Sequence, residues 1–267
     1  MYNLSDSEFA QFQRFIYESA GITLSDAKRA LVCGRLAKRL HACQLKSYGE
    51  YLDLLMSGES SAELQTAVDL LTTNETYFFR EPKHFQFLKE TLRTRRAAGT
   101  AFRVWSAAGS TGEEAYSIAM VLEDCLGGGP WDVVASDIST RVLARARTGH
   151  YRLDRLANFP SGYLQRFCLK GTGAQEGTLL VERKLRSRVR FLQVNLNAPL
   201  PRLGMFDVIF LRNVLIYFNL QTKRGVVARV LDALKPGGWL FIGHSESLID
   251  LSDGVEMAAA AIYRKPR

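Results

Sequence analysis

Arg103-Val-Trp-Ser-Ala-Ala-Gly-Ser-Thr-Gly-Glu-Glu-Ala-Tyr-Ser117 reads as a buried strand that runs through a glycine turn into a helix. Gly109 and Gly112 occupy the turn, where a missing Cβ lets backbone approach a ligand closely. A dinucleotide-binding fold would carry Gly-x-Gly-x-x-Gly there, with the helix N-terminus facing a diphosphate. Here the third glycine is absent and Glu113 and Glu114 open the helix. Carboxylates at that end would repel a diphosphate. They either complement the helix dipole or accept hydrogen bonds from an amino-acid ammonium group. A nicotinamide cofactor is therefore disfavoured.

Outward from the turn, apolar runs alternate with helical stretches: Phe102–Ser106 then Glu113–Leu126, Trp131–Ser136 then Thr140–Thr148, and Phe206–Leu211, Thr222–Leu234 and Trp239–Gly243. Such alternation argues an α/β fold, a parallel sheet with helices on both faces. The second strand ends at Asp137, placed to bind the two ribose hydroxyls of an adenosine. Between Tyr151 and Arg190 the period breaks around Gly171, Gly173 and Gly177. The runs Thr178–Glu182 and Val189–Leu192 are read as a small antiparallel insertion. Two further segments carry polar residues where a core would not need them. They are Thr72-Thr-Asn-Glu-Thr-Tyr-Phe-Phe-Arg-Glu81, and Asp207-Val-Ile-Phe-Leu-Arg-Asn-Val-Leu-Ile-Tyr-Phe218 at the end of a buried strand. Phe78, Phe79 and Phe218 suit a core; Arg80, Arg212 and Tyr217 do not.

The first 70 residues read as short helices. Ser5-x-x-Glu8 and Ser47-x-x-Glu50 are capping-box patterns, and Leu4 and Phe9 fit a hydrophobic staple. In the helix expected over Asp26–Ala42, Cys33, Leu36, Ala37 and Leu40 share one face. Lys28, Arg35, Lys38 and Arg39 make the stretch cationic, with no acid between Lys28 and Lys46. This is either a solvated charged face or a docking surface. The formal charge of +8 favours an anionic partner without naming one. The 267 residues, 47% of them hydrophobic, suffice for a full core. No apolar run reaches the ~20 residues of a membrane span, and the acidic N-terminus is unlike a signal peptide. Four scattered cysteines suggest neither a disulfide framework nor a zinc site.

Thr-Asn-Glu-Thr-x-Phe-Phe-Arg-Glu, Trp-Ser-Ala-Ala-x-Ser-Thr-Gly-Glu-Glu-x-Tyr-Ser, Ala-Ser-Asp-Ile, Arg-Asn-Val-x-Ile-Tyr-Phe and Gly-His-Ser-Glu-Ser follow one another in an order that resembles the CheR family of chemotaxis receptor methyltransferases. The resemblance runs from Leu4 to the C-terminus. It implies an all-α N-terminal receptor-docking domain over 1–72. A Rossmann-like methyltransferase domain over 73–267 would follow, with a β subdomain inserted at 152–189. It implies methyl transfer from S-adenosylmethionine to receptor glutamates, giving methyl esters, without a metal. Position by position, the cofactor would meet Asn74, Thr76, Arg80, Glu114, Asp137, Asn195, Leu196, Arg212 and Asn213. Arg80 and Tyr217 would lie near the methyl group and the incoming glutamate. The Gly171–Gly177 loop is similar to that of members that grip a C-terminal receptor pentapeptide. Ala115 and Leu211 depart from the family's common proline and cysteine. His244 is expected in a structural polar contact. The partners implied are cytoplasmic domains of methyl-accepting receptors, met by a cytoplasmic monomer recruited to receptor arrays, with neither nucleic acid nor membrane insertion. A nucleic-acid methyltransferase on the same fold and a non-catalytic cofactor-sensing adaptor are the rival readings.

Overall fold

The computed structural model describes residues 2–94, 100–156 and 158–267. Among these, β1 (Phe102–Ser106) pairs in parallel with β2 (Trp131–Asp137) on one side and with β7 (Phe206–Leu211) on the other. The intervening strands are β3 (His150–Arg152), β4 (Cys168–Lys170), β5 (Thr178–Val181) and β6 (Val189–Gln193). The sheet has seven strands in the order β6-β2-β1-β7-β8-β10-β9, where β8 is Leu234–Ile242, β9 Glu256–Ala259 and β10 Ile262–Arg264. Only β10 and β9 run antiparallel to their neighbours. The chain leaves β1 towards β2 and β6, then returns to β7 on β1's other side. This puts a topological switch point between β1 and β7.

Alternation along the strands feeds two cores, as a pleat buried on both faces requires. Val104, Val133, Val208 and Phe241 enter one; Trp105, Val134, Ile209 and Leu240 enter the other. The helices are α1 (Asp6–Ala20), α2 (Arg29–Ala42), α3 (Tyr48–Met56), α4 (Ser61–Leu71), α5 (Pro82–Thr94), α6 (Glu113–Leu126), α7 (Thr140–Thr148), α8 (Tyr163–Phe167), α9 (Arg183–Arg186) and α10 (Leu220–Asp232). α5, α6 and α7 cover the first face, through residues such as Leu88, Ile118 and Leu143, and α10 covers the second through Val226, Val227 and Val230.

The run Val189–Leu192, read from sequence with the insertion, is instead the edge strand β6 of the large parallel sheet. Its β-branched start suits either sheet, and only its parallel register with Val133–Asp137 decides. The small sheet is β3-β5-β4, and the strand His150–Arg152 passed unnoticed in the sequence because three residues carry no period. Turn geometry accounts for all three glycines of its loop. Gly173 and Gly177 have φ of 56° and 79°, and a Cβ on Gly171 would stand 1.9 Å from the Gln175 carbonyl oxygen.

α1 to α4 bury their own core of Phe12, Ile16, Val32, Leu36, Tyr51 and Leu55. The Ser5–Glu8 capping box forms as the sequence indicates. At Ser47 only half a box forms, because Glu50 accepts from the Lys46 N–H instead. The cationic face of α2 is only partly free. Arg39 pairs with Glu63 through Nε (2.9 Å) and Nη2 (2.6 Å), and the Tyr51 hydroxyl donates to the same carboxylate at 2.6 Å. Arg35 donates to the Leu70, Leu71 and Thr72 carbonyls, capping the C-terminus of α4. Arg35 and Arg39 are thus half-buried and engaged within the fold, while Lys28 and Lys38 are exposed. The acid that neutralises Arg39 lies two helices away, where a scan of α2 alone does not look.

Replacing Arg39 by Ala leaves the Glu63 carboxylate short of its cation and should destabilise the protein by about 1–3 kcal/mol in urea unfolding. Stability equal to wild type would return Arg39 to the solvated surface.

Candidate active site

The switch point opens into a pocket lined by the carboxyl ends of β1, β2 and β7, the extended segment Thr72–Thr76, and the end of α1. Asn74, Thr76, Arg80, Glu114, Asp137, Asn195, Leu196, Arg212, Asn213 and Tyr217 all line this one pocket. Residues up to 143 positions apart in sequence thus meet in the space the glycine turn leaves open. The turn itself is tight: Gly109 donates to the Ser136 carbonyl, and Gly112, at φ 94°, has no room for a Cβ beside the Tyr151 hydroxyl and Ala146.

At one end, Asp137 is buried and accepts from the Ser110 N–H on Oδ2 and the Ser139 N–H on Oδ1, both at 2.9 Å. Burial pushes its carboxyl up to about 6, with the two N–H bonds opposing and Asp69 adding to the rise. Ile22, Ile138, Val194 and Leu196 supply an apolar wall beside it. Asn195 is fixed by donating to the Ser19 carbonyl at 2.7 Å, and Leu196 is held through its carbonyl by Arg229.

In the middle, Arg212 is buried at the tip of β7. Its Nη1 lies 2.8 Å from Glu114 Oε2, and its Nη2 lies 3.0 Å from Glu81 Oε2 and donates to the Arg80 carbonyl at 2.5 Å. Ser106 donates to the other Glu114 oxygen at 2.7 Å. Burial acts to raise the Glu81 carboxyl, but the Arg212 guanidinium outweighs it and holds Glu81 below the ordinary value. Arg212 was expected to touch the cofactor. Its side chain lines the pocket but is 1% exposed, with both terminal nitrogens engaged, and it holds Glu114 and the Arg80 backbone in place.

At the other end, Arg80 donates to the Glu75 carbonyl and lies 5.7 Å over the Tyr77 ring. Burial raises the Tyr217 hydroxyl, so it stays a neutral donor. Glu246 accepts from the Asn213 and Gly243 N–H groups at 2.8 and 2.6 Å and from Ile216 at 3.3 Å, bracing the turn that carries Tyr217. Thr23 donates to the Tyr217 carbonyl, tying that turn to the N-terminal helices. Phe79, Glu81, Ser110 and Asn213 all have positive φ (53°, 58°, 48° and 55°). Strained backbone of this kind persists only where its surroundings over-determine it. Lys28 lines an adjoining groove that shares Thr73, Ile216, Tyr217 and Phe218 with the pocket.

Ser110, Glu81 and Glu246 were not singled out from the sequence. The two acids lie inside quoted motifs, but their roles depend on partners that the chain brings from far away. The His244 backbone N–H donates to Glu81 Oε1 at 3.3 Å, and its imidazole Nε2 lies 3.9 Å from Glu81 Oε2.

An acid at the end of β2, an apolar wall beside it and a second acid near the start of α6 match an adenosine joined to an amino acid. The profile described as "CheR methyltransferase, SAM binding domain" matches residues 74–263, and "CheR methyltransferase, all-alpha domain" matches 7–72. The chain is 45% identical to a chemotaxis protein methyltransferase of Salmonella typhimurium, covering 97% of this chain and 90% of that one. It is 46% identical to one of Escherichia coli, covering 97% and 91%, and 40% identical to chemotaxis protein methyltransferase 2 of Pseudomonas aeruginosa, covering 98% and 94%.

Below a pH of about 6 the Asp137 carboxyl is protonated in the ligand-free fold. If Asp137 holds the ribose, its hydroxyls are received by both oxygens only when it is ionised, so affinity should be full above that pH and fall as pH drops through it. Calorimetry with S-adenosylhomocysteine should show this fall. Asp137→Asn should remove the pH dependence and weaken binding by about 1–3 kcal/mol. A dissociation constant that is flat across this window would separate Asp137 from the ligand.

Proposed function

We propose, starting from a chain that belongs to the CheR methyltransferase family, that it methylates side-chain glutamates of chemotaxis receptors, forming glutamyl methyl esters and S-adenosylhomocysteine. The observation that carries the reading is the polarity of the pocket, which has acids where an adenosine and an amino-acid ammonium need acceptors. Arg80 and Tyr217 stand together on its far rim.

When bound, S-adenosylmethionine supplies an electrophilic sulfonium methyl. A glutamate with a reference pKa of about 4.3 is already ionised near neutral pH, so no general base is required of the chain. What remains is alignment and exclusion of water. Tyr217, a neutral hydroxyl, donates one hydrogen bond to the acceptor carboxylate. Arg80 orients it from the side, and its tether to the Glu75 carbonyl limits it to a loose contact that leaves the oxygen nucleophilic. Glu114 receives the ammonium end on carboxylate oxygens held by Ser106 and Arg212.

The acceptor segment enters along the groove that Lys28 lines beside Tyr217, with Lys38 on α2, the helix that begins just after Lys28, as a further cation; both are exposed and suit an acidic receptor surface. Tethering by a receptor's C-terminal pentapeptide fits the small sheet, whose outer strands β3 and β4 each have β5 on one side only. In that arrangement the Gly171, Gly173 and Gly177 turns shape the loop beside β4. A monomer working in the cytoplasm at receptor arrays completes the proposal.

Incubation with methyl-labelled S-adenosylmethionine and receptor-containing membranes should label the receptor, and alkali should release the label as methanol. Label that resists alkali, or that enters nucleic acid, would overturn the reading. Tyr217→Phe should lower turnover about five- to tenfold, one hydrogen bond's worth, with S-adenosylhomocysteine affinity nearly unchanged. Equal loss of both would assign Tyr217 to the cofactor.

A further inference from the structure

Glu81, His84 and His244 stand together outside the pocket lining, and their donor atoms all lie within 4.8 Å of one another. Glu81 Oε2 is 3.3 Å from His84 Nδ1 and 3.9 Å from His244 Nε2. Donors around a tetrahedral ion with metal–ligand bonds of about 2.0–2.1 Å stand about 3.3 Å apart, so one edge already has that length. His84 is fully buried, and neither of its ring nitrogens makes a hydrogen bond, while Glu81 Oε2 is paired with Arg212 Nη2 at 3.0 Å. Buried polar atoms without partners are rare enough to need an occupant. The rings of Phe241 and His244 stand edge-on to His84, at 5.3 and 5.0 Å. The His244 side chain is 47% exposed, which gives an ion a way in.

We propose that Glu81, His84 and His244 bind a divalent transition-metal ion of the zinc class, and that this ion competes with Arg212 for the Glu81 carboxylate. Two imidazoles and one carboxylate suit zinc, cobalt or nickel rather than magnesium or calcium, which take oxygen ligands. A fourth position is left for water. The oxygen the ion would take, Glu81 Oε2, is the one 3.0 Å from Arg212 Nη2. Occupancy therefore draws that carboxylate away from the guanidinium and adds positive charge beside it. The other partners of Arg212 are Glu114 and the Arg80 carbonyl, both in the pocket wall. Methyl transfer itself needs no metal; the ion loosens the cofactor pocket from behind and acts as an inhibitor.

The test uses the full chain, stripped with chelator and titrated with zinc by calorimetry and with cobalt by visible absorption. One equivalent should bind, with the visible bands of tetrahedral cobalt, and His244→Ala should weaken binding by at least about tenfold. His150→Ala, whose imidazole contacts Thr178 in the small sheet, should leave binding unchanged. S-adenosylhomocysteine should bind more weakly to zinc-loaded protein, recover with chelator, and be insensitive to zinc in His244→Ala. Binding of this nucleoside to stripped His244→Ala shows that the variant is folded. Failure to bind one equivalent, or wild-type metal affinity in His244→Ala, would overturn the site. Zinc binding without any change in nucleoside affinity would overturn the competition with Arg212.

Discussion

A buried guanidinium has to be matched by charge and hydrogen bonds, since one left unpaired costs several kcal/mol. Arg212 is matched by Glu114 from the first helix after β1, by Glu81 from the turn before α5, and by the carbonyl of Arg80. Two segments that enter the site separately are therefore tied to the tip of β7 by one cation. Both the acid near the start of α6 and the backbone of the segment bearing Arg80 take their positions from it. Four non-glycine residues with positive φ surround this network. The strain is tolerable because the ion pairs, the Glu246 bridge to Asn213 and Gly243, and the Ser110–Asp137 bond leave the backbone no alternative.

The N-terminal helices belong to the same construction. Arg35 caps α4 just where the chain straightens into the segment carrying Asn74 and Thr76, and Asp69 accepts from the Thr140 and Arg141 N–H groups at the start of α7. A bridge between Ile22 and Phe218 holds the Tyr217 turn against the end of α1. The groove that Lys28 lines is thus continuous with the wall of the pocket. The groove and the pocket share Ile22, Thr73, Ile216, Tyr217 and Phe218, so the N-terminal helices and the methyltransferase fold build one wall.

The strand–turn–helix from Arg103 to Ser117, the acid at Asp137 and the polar tip of β7 were readable in the sequence because each is local. A glycine turn, a strand end and an Arg-Asn pair declare themselves within a dozen residues. What escaped was long-range. Arg35 and Arg39 look like free cations until α4 is packed against α2, and Val189–Gln193 looks like part of the insertion until its register with β2 is seen. Glu81 and Glu246 sat in view inside motifs. Nothing in the chain announces that one meets a guanidinium 131 residues on and that the other caps a turn 30 residues back.

The most direct measurement of the whole account is a crystal structure of the protein with S-adenosylhomocysteine. The account predicts ribose hydroxyls on Asp137, the adenine against Ile138 and Leu196, the ammonium facing Glu114, and the sulfur directed towards Arg80 and Tyr217, with the Arg212 contacts to Glu81 and Glu114 intact. A nucleoside seated elsewhere, or an Arg212 that leaves both carboxylates to contact the ligand, would contradict it.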